Sequence, residues 1–108
     1  MKINLSPQRM DAELEVFIRG PLIIVNGEHF DFTRMVAGDV LPASAVTSDW
    51  IIDKVNNVNG ELELTLLLPL PANYSQEQAF PVPLLNVSDG PVSFPKALST
   101  PEQVASNE

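Results

Sequence analysis

The 108-residue chain has no cysteine. That excludes disulfide staples, thiolate zinc sites and thiol catalysis. Bases are scarce as well: six Lys and Arg stand against fourteen Asp and Glu, for a net charge of −8. Nucleic acid asks for a concentrated basic patch, and six scattered bases do not supply one. Long apolar runs are also missing. The longest, from Leu66 to Ala72, includes two prolines and falls far short of the ~20 residues that a membrane-spanning helix needs. Met1 to Pro7 has neither an extended apolar core nor a small-residue cleavage site, so no secretory signal is expected there. The absence of cysteine fits a reducing compartment. Together these absences predict a cytoplasmic protein with no membrane or nucleic-acid partner and no cofactor.

What is present suffices for a core. Val, Ile, Leu and Phe make up about a third of the residues, well above the level at which disorder is expected. The sharpest local signals are two Asn-Gly pairs, because a two-residue type I′ hairpin turn needs positive φ at both central positions. Asn26-Gly27 predicts that Val25 pairs with Glu28, Ile24 with His29 and Ile23 with Phe30. With Leu14 to Ile18 alternating upstream and Gly20-Pro21 between, a three-stranded meander is expected over residues 13–32. Asn59-Gly60 predicts a second hairpin between Trp50–Val58 and Glu61–Leu68. One face of it should carry Ile51, Val55, Leu62, Leu64, Leu66 and Leu68. The other is polar near the turn and apolar at Trp50, Ile52 and Leu67, a possible interface that something should cover.

Between the hairpins, Val40 to Val46 suits one helical turn with Pro42 near its start. Six of the ten prolines lie between Pro69 and Pro95, which assigns that stretch to sheet edges and extended loops. Leu84–Val87 and Pro91–Phe94 flank Asp89-Gly90 as a last short hairpin. The fold class expected is all-β: one domain over residues 1–95, a small antiparallel sandwich or partly open barrel of about six to eight short strands. A flexible C-terminal tail is expected over 96–108. The expected core is Val16, Ile18, Ile23, Val25, Phe30, Phe32, Ile51, Val55, Leu62, Leu64, Leu66 and Leu68.

Chemistry finds little support. His29, the single histidine, shares a strand face with Asp31, but no motif supplies a nucleophile or a third ligand. Glu13/Glu15 and Glu61/Glu63 each place two carboxylates on one wet face of a strand, with nothing to push their pKa values apart. There is no Gly-x-Ser-x-Gly, phosphate-cradling glycine loop or dinucleotide fingerprint. Phe80-Pro81-Val82-Pro83 lacks the register of a polyproline ligand and reads as an edge segment. No catalytic, cofactor-binding or metal-binding residue is assigned.

The order of segments does resemble a known group. Lys2 to Asp11 leads into a strand, followed by Ile24-Val25-Asn26-Gly27-Glu28-His29-Phe30-Asp31-Phe32 and a Leu-Pro segment. Then come Ser48-Asp49-Trp50, Gly60 to Pro69, Phe80-Pro81 and Asp89-Gly90-Pro91. This series resembles small uncharacterised phage and prophage proteins encoded among the tail and tail-fibre genes of phages of Gram-negative bacteria, through most of residues 1–95. The resemblance implies a phage tail-region setting, synthesis in the bacterial host cytoplasm with incorporation into the virion left open, and no established activity. The expected function is a non-enzymatic structural, assembly or protein-binding module, such as a tail-fibre accessory. Its partner would be a tail component or a second copy. The alternative is an acidic host-directed inhibitor of the anti-restriction type, motivated by the net charge.

Overall fold

A computed structural model describes residues 1–98. It holds eight strands: β1 (Lys2–Arg9), β2 (Val16–Arg19), β3 (Leu22–Val25), β4 (Glu28–Asp31), β5 (Val40–Leu41), β6 (Val55–Val58), β7 (Glu61–Leu70) and β8 (Gly90–Pro91). They form two four-stranded sheets, β1-β7-β6-β5 and β4-β3-β2-β8. The sheets are not a closed barrel, and one core cluster draws buried residues from both.

The β4-β3-β2-β8 sheet is built on the meander. Val25 pairs with Glu28, Ile24 with His29 and Ile23 with Phe30, as the Asn-Gly turn requires. Asn26 and Gly27 both take positive φ, 49° and 85°, the geometry whose twist matches that of the flanking strands. At the other turn Gly20 has φ 58° and is followed by Pro21, whose ring fixes a negative φ; this order suits a type II′ turn. Alternation then sends Val16, Ile18, Ile23 and Val25 inward, each at most 5% exposed.

The β1-β7-β6-β5 sheet is built on β7. Leu62, Leu64, Leu66 and Leu68 point to the core from one side of it. β6 follows the expected register near Asn59-Gly60, with Val58 opposite Glu61 and Asn56 opposite Glu63. The hairpin does not run unbroken back to Trp50. Ile51 bridges Leu66, whereas continuing the turn's register would bring it opposite Leu68. The two-residue offset is taken up by Ile52–Lys54, where the Asp53 side chain accepts a hydrogen bond from the Lys54 backbone at 2.7 Å. An even offset preserves the faces, so Ile51 and Val55 remain buried.

Four further expectations are corrected. The lead-in segment is a strand: β1 lies parallel to β7 over its whole length, from Lys2 opposite Glu63 to Arg9 opposite Leu70. The sheet is therefore mixed, and Ile3 is fully buried. The helical turn expected in Val40–Val46 is present as a 3₁₀ turn over Ala43–Ala45 with Pro42 at its start, but the Val40-Leu41 part of that stretch is a strand. Phe30 is half-buried, packed against the core from its margin. The last hairpin does not form. Leu84 instead exchanges two backbone hydrogen bonds with Ile3 (2.9 and 2.8 Å), and Gly90-Pro91 pairs with β2. Segment 84–91 thus spans the edges of both sheets, which suits a stretch whose prolines cannot donate to a continuous ladder. A short helix, α1 (Gln76–Ala79), turns the backbone after β7, its start fixed by a buried capping box between Ser75 and Gln78. Leu98 exchanges hydrogen bonds with Asn73; the rest of the tail expected over 96–108 lies outside the described residues.

These positions set two expected stabilities. Ile3→Ala should cost about 2–5 kcal/mol, the range for truncating a closed-in core side chain, read from the urea midpoint. Gly27→Ala meets no atom within 4 Å, so it should cost only the left-handed backbone penalty of about 1 kcal/mol.

Candidate functional site

The residues singled out from sequence lie together on the outer face of the β1-β7-β6-β5 sheet. Leu67 donates its backbone N–H to Trp50 (2.8 Å) and Ile52 donates to Thr65 (3.1 Å), which sets Trp50 beside Leu67 and Ile52 beside Thr65. Trp50 and Leu67 are half-buried and Ile52 is 40% exposed. Trp50 also packs against the core, so the apolar corner is smaller than expected.

A polar lattice borders this corner. Ser6 stands opposite Leu67, Asn4 opposite Thr65 and Lys2 opposite Glu63. Asn4 Nδ2 donates to Glu63 Oε2 at 3.0 Å, and Lys2 Nζ lies 3.6 Å from the same oxygen. The Asn4 hydrogen bond, aided by the Lys2 charge and opposed by partial burial, holds the Glu63 carboxyl below its ordinary range. Across from Glu63, Asn56 Oδ1 is buried with no hydrogen-bond partner among the described residues.

The other sheet carries an apolar outer face that sequence reasoning did not assemble. Phe17 stands opposite both Ile24 and Pro91. Together with Leu14 and Val92 they line a shallow groove of about 480 Å³. Phe17 is 40% exposed. The available signal is the alternation of Leu14 to Ile18 itself, which puts Phe17 out of phase with the core residues Val16 and Ile18. A third exposed group, Phe80 (76%), Val82 (74%) and Leu85 (64%), belongs to the proline-rich stretch read as an edge segment.

The carboxylate and histidine candidates do not converge. His29 is exposed. Asp31 is engaged by Thr33, whose backbone N–H (2.9 Å) and hydroxyl both donate to it, and these bonds lower its pKa. Glu61 lies 3.3 Å from the Met1 amino group, apart from the Asn4–Glu63–Lys2 group. Glu13 and Glu15 meet the Asn26 side chain through their backbone atoms only. No group of three or more His, Asp or Glu is placed to hold a metal ion among the described residues. No helix among them is long and apolar enough to cross a membrane. Such a surface offers apolar contact area for binding.

The electrostatics of Glu63 give a pH dependence. A carboxyl whose folded pKa is depressed contributes stability in full above its unfolded value, near 4.5, and loses it as pH falls through the folded value. Glu63→Gln keeps an acceptor for Asn4 but removes the charge. It should therefore lower stability by less than about 1 kcal/mol at neutral pH and flatten the decline below pH 4.5 in urea titrations. No protein-family model matches the sequence, no curated protein matches it, and no solved structure matches it.

Proposed function

We propose that the protein is a non-enzymatic binding or assembly module that docks on another protein, a phage tail-region component or a second copy of itself. The observation that carries this reading is that both sheets of so small a domain turn apolar side chains away from the core. Ile52 and Leu67 do so on one sheet, with Trp50 half-buried beside them, and Phe17, Ile24 and Pro91 on the other. Single surface hydrophobics are ordinary, whereas contiguous ones rimmed by polar residues mark interaction surfaces. The tail-region setting is supported by the order of segments from Lys2 to Pro91. Trp50, Ile52 and Leu67 form an interface on this reading.

The test is size-exclusion chromatography with light scattering, on the protein alone and mixed with the products of neighbouring tail genes. A stable complex is the expected result. Ile52→Glu and Phe17→Glu alter side chains that are each 40% exposed, so each should fold normally. The one on the docking face should weaken the complex about tenfold or more, as loss of an interface anchor does. A strict monomer that binds none of these proteins would overturn the proposal. Capture of a nucleic-acid-binding host protein in a pull-down from host lysate would favour the acidic inhibitor instead.

A further inference from the structure

Two of the eight asparagines, Asn26 and Asn59, precede glycine. In that setting the glycine backbone nitrogen can attack Cγ of the asparagine carboxamide. A bond forms between that nitrogen and Cγ, and the bond from Cγ to Nδ2 breaks. Nδ2 leaves as ammonia, carrying the proton that the glycine N–H gives up. Water then opens the succinimide to aspartate or isoaspartate. No oxidant or cofactor is involved, and glycine, without a Cβ, offers the least hindered nucleophile.

The φ angles do not separate the two sites. Asn26 and Asn59 have φ 49° and 54°, and Gly27 and Gly60 have 85° and 91°. Hydrogen bonding of the carboxamides does. The Asn26 carboxamide is tied at both ends to the segment preceding β2: Oδ1 accepts from Glu15 N at 2.7 Å and Nδ2 donates to Glu13 O at 3.0 Å. Reaction there requires both bonds to break before the carboxamide can swing to Gly27. Asn59 is exposed, and its carboxamide makes no such bond among the described residues. Its restraint lies on the nucleophile. Gly60 N–H donates to Asn57 Oδ1 at 2.8 Å, and the buried Asn57 is held in turn by its Nδ2 bond to Met35 O at 3.3 Å. An N–H held by an acceptor gives up its proton less readily, so this contact slows attack without anchoring the carboxamide.

We propose that Asn59 is the site of spontaneous deamidation in the folded protein, that Asn57 restrains it, and that Asn26 is protected by its clamp to Glu13 and Glu15. The product adds a carboxylate beside Glu61 at the β6–β7 turn, and isoaspartate also lengthens the backbone there.

Incubation of the intact protein at alkaline pH, followed by peptide mass spectrometry and isoaspartate detection, tests this. Asn59 should convert about tenfold or more faster than Asn26 in the folded protein, a gap equivalent to one decade in rate. In urea the two rates should converge, because the local sequences share the same glycine nucleophile. Equal rates in the folded protein, or faster conversion at Asn26, would overturn the assignment. Asn57→Ala should speed conversion at Asn59 severalfold and leave Asn26 unchanged. A folded variant with an unchanged Asn59 rate would overturn the role of Asn57. If that variant unfolds, which circular dichroism reveals, Asn57→Val replaces it: a side chain with no acceptor for the Gly60 N–H should give the same acceleration, and its absence would count the same way.

Discussion

The parallel pairing of β1 with β7 is the contact on which the rest of the architecture depends. β7 is the longest strand, and it has β1 on one side and β6 on the other. β1 brings Ile3 into the core opposite Leu64 and offers its outer edge to Leu84. From that bridge the backbone runs through Val87, which bonds to Met1, to Gly90-Pro91 against β2. Withdrawing β1 would expose one edge of β7 and remove the anchor of the segment that ties the two sheets together. Each strand in the β4-β3-β2-β8 sheet is four residues or fewer. Strands so short have little independent stability and need a packed partner.

What can be read from the sequence follows the range over which each interaction acts. The Asn-Gly turns are local chemistry: positive φ at two adjacent residues selects those side chains, and the turn then dictates the register of Val25 with Glu28 and of Val58 with Glu61. The core assignments follow from that register because side chains alternate with period two. β1 carries no such signature. Its partner is some sixty positions away, a parallel pair needs no tight turn, and only Ile3 within it is fully buried. The Pro-rich stretch does lie at edges, but its proline content cannot say which edge. Leu84 and Gly90 go to different sheets, a choice made by tertiary packing. α1 does have a local signal, since Ser75 and Gln78 have the spacing of a capping box.

The candidate surface divides in the same way. Trp50, Ile52 and Leu67 are legible because a hairpin register predicts cross-strand neighbours, and the two-residue offset at Ile52–Lys54 leaves their face unchanged. Their degree of exposure is not legible. It depends on how far the Trp50 ring reaches back to the core, which no alternation pattern specifies. The groove at Phe17 is hidden for a related reason. It needs β8 beside β2, and that pairing comes from the segment that sequence assigns to a separate hairpin.

The polar outer face of β1 also answers how a parallel strand with so little buried surface keeps its register. A slip of one residue would move Ile3 out of the core, which hydrophobic burial forbids. A slip of two would leave the faces intact, so burial alone is weak against it. It would, however, carry Asn4 and Lys2 roughly 6.6 Å along the strand, so their present shared contact with one Glu63 oxygen would have to be remade. A shift that set Asn4 opposite Leu67 would take it from that acceptor, a penalty larger than the net worth of the bond itself; the opposite shift would set Asn4 opposite Glu63 and is resisted at the other end of the strand. Met10, which donates to Leu70 O, and Arg9, whose guanidinium donates to the same carbonyl, fix the far end in the same register. Burial therefore chooses the face of β1, and the hydrogen bonds at its two ends choose among the registers that burial leaves equivalent.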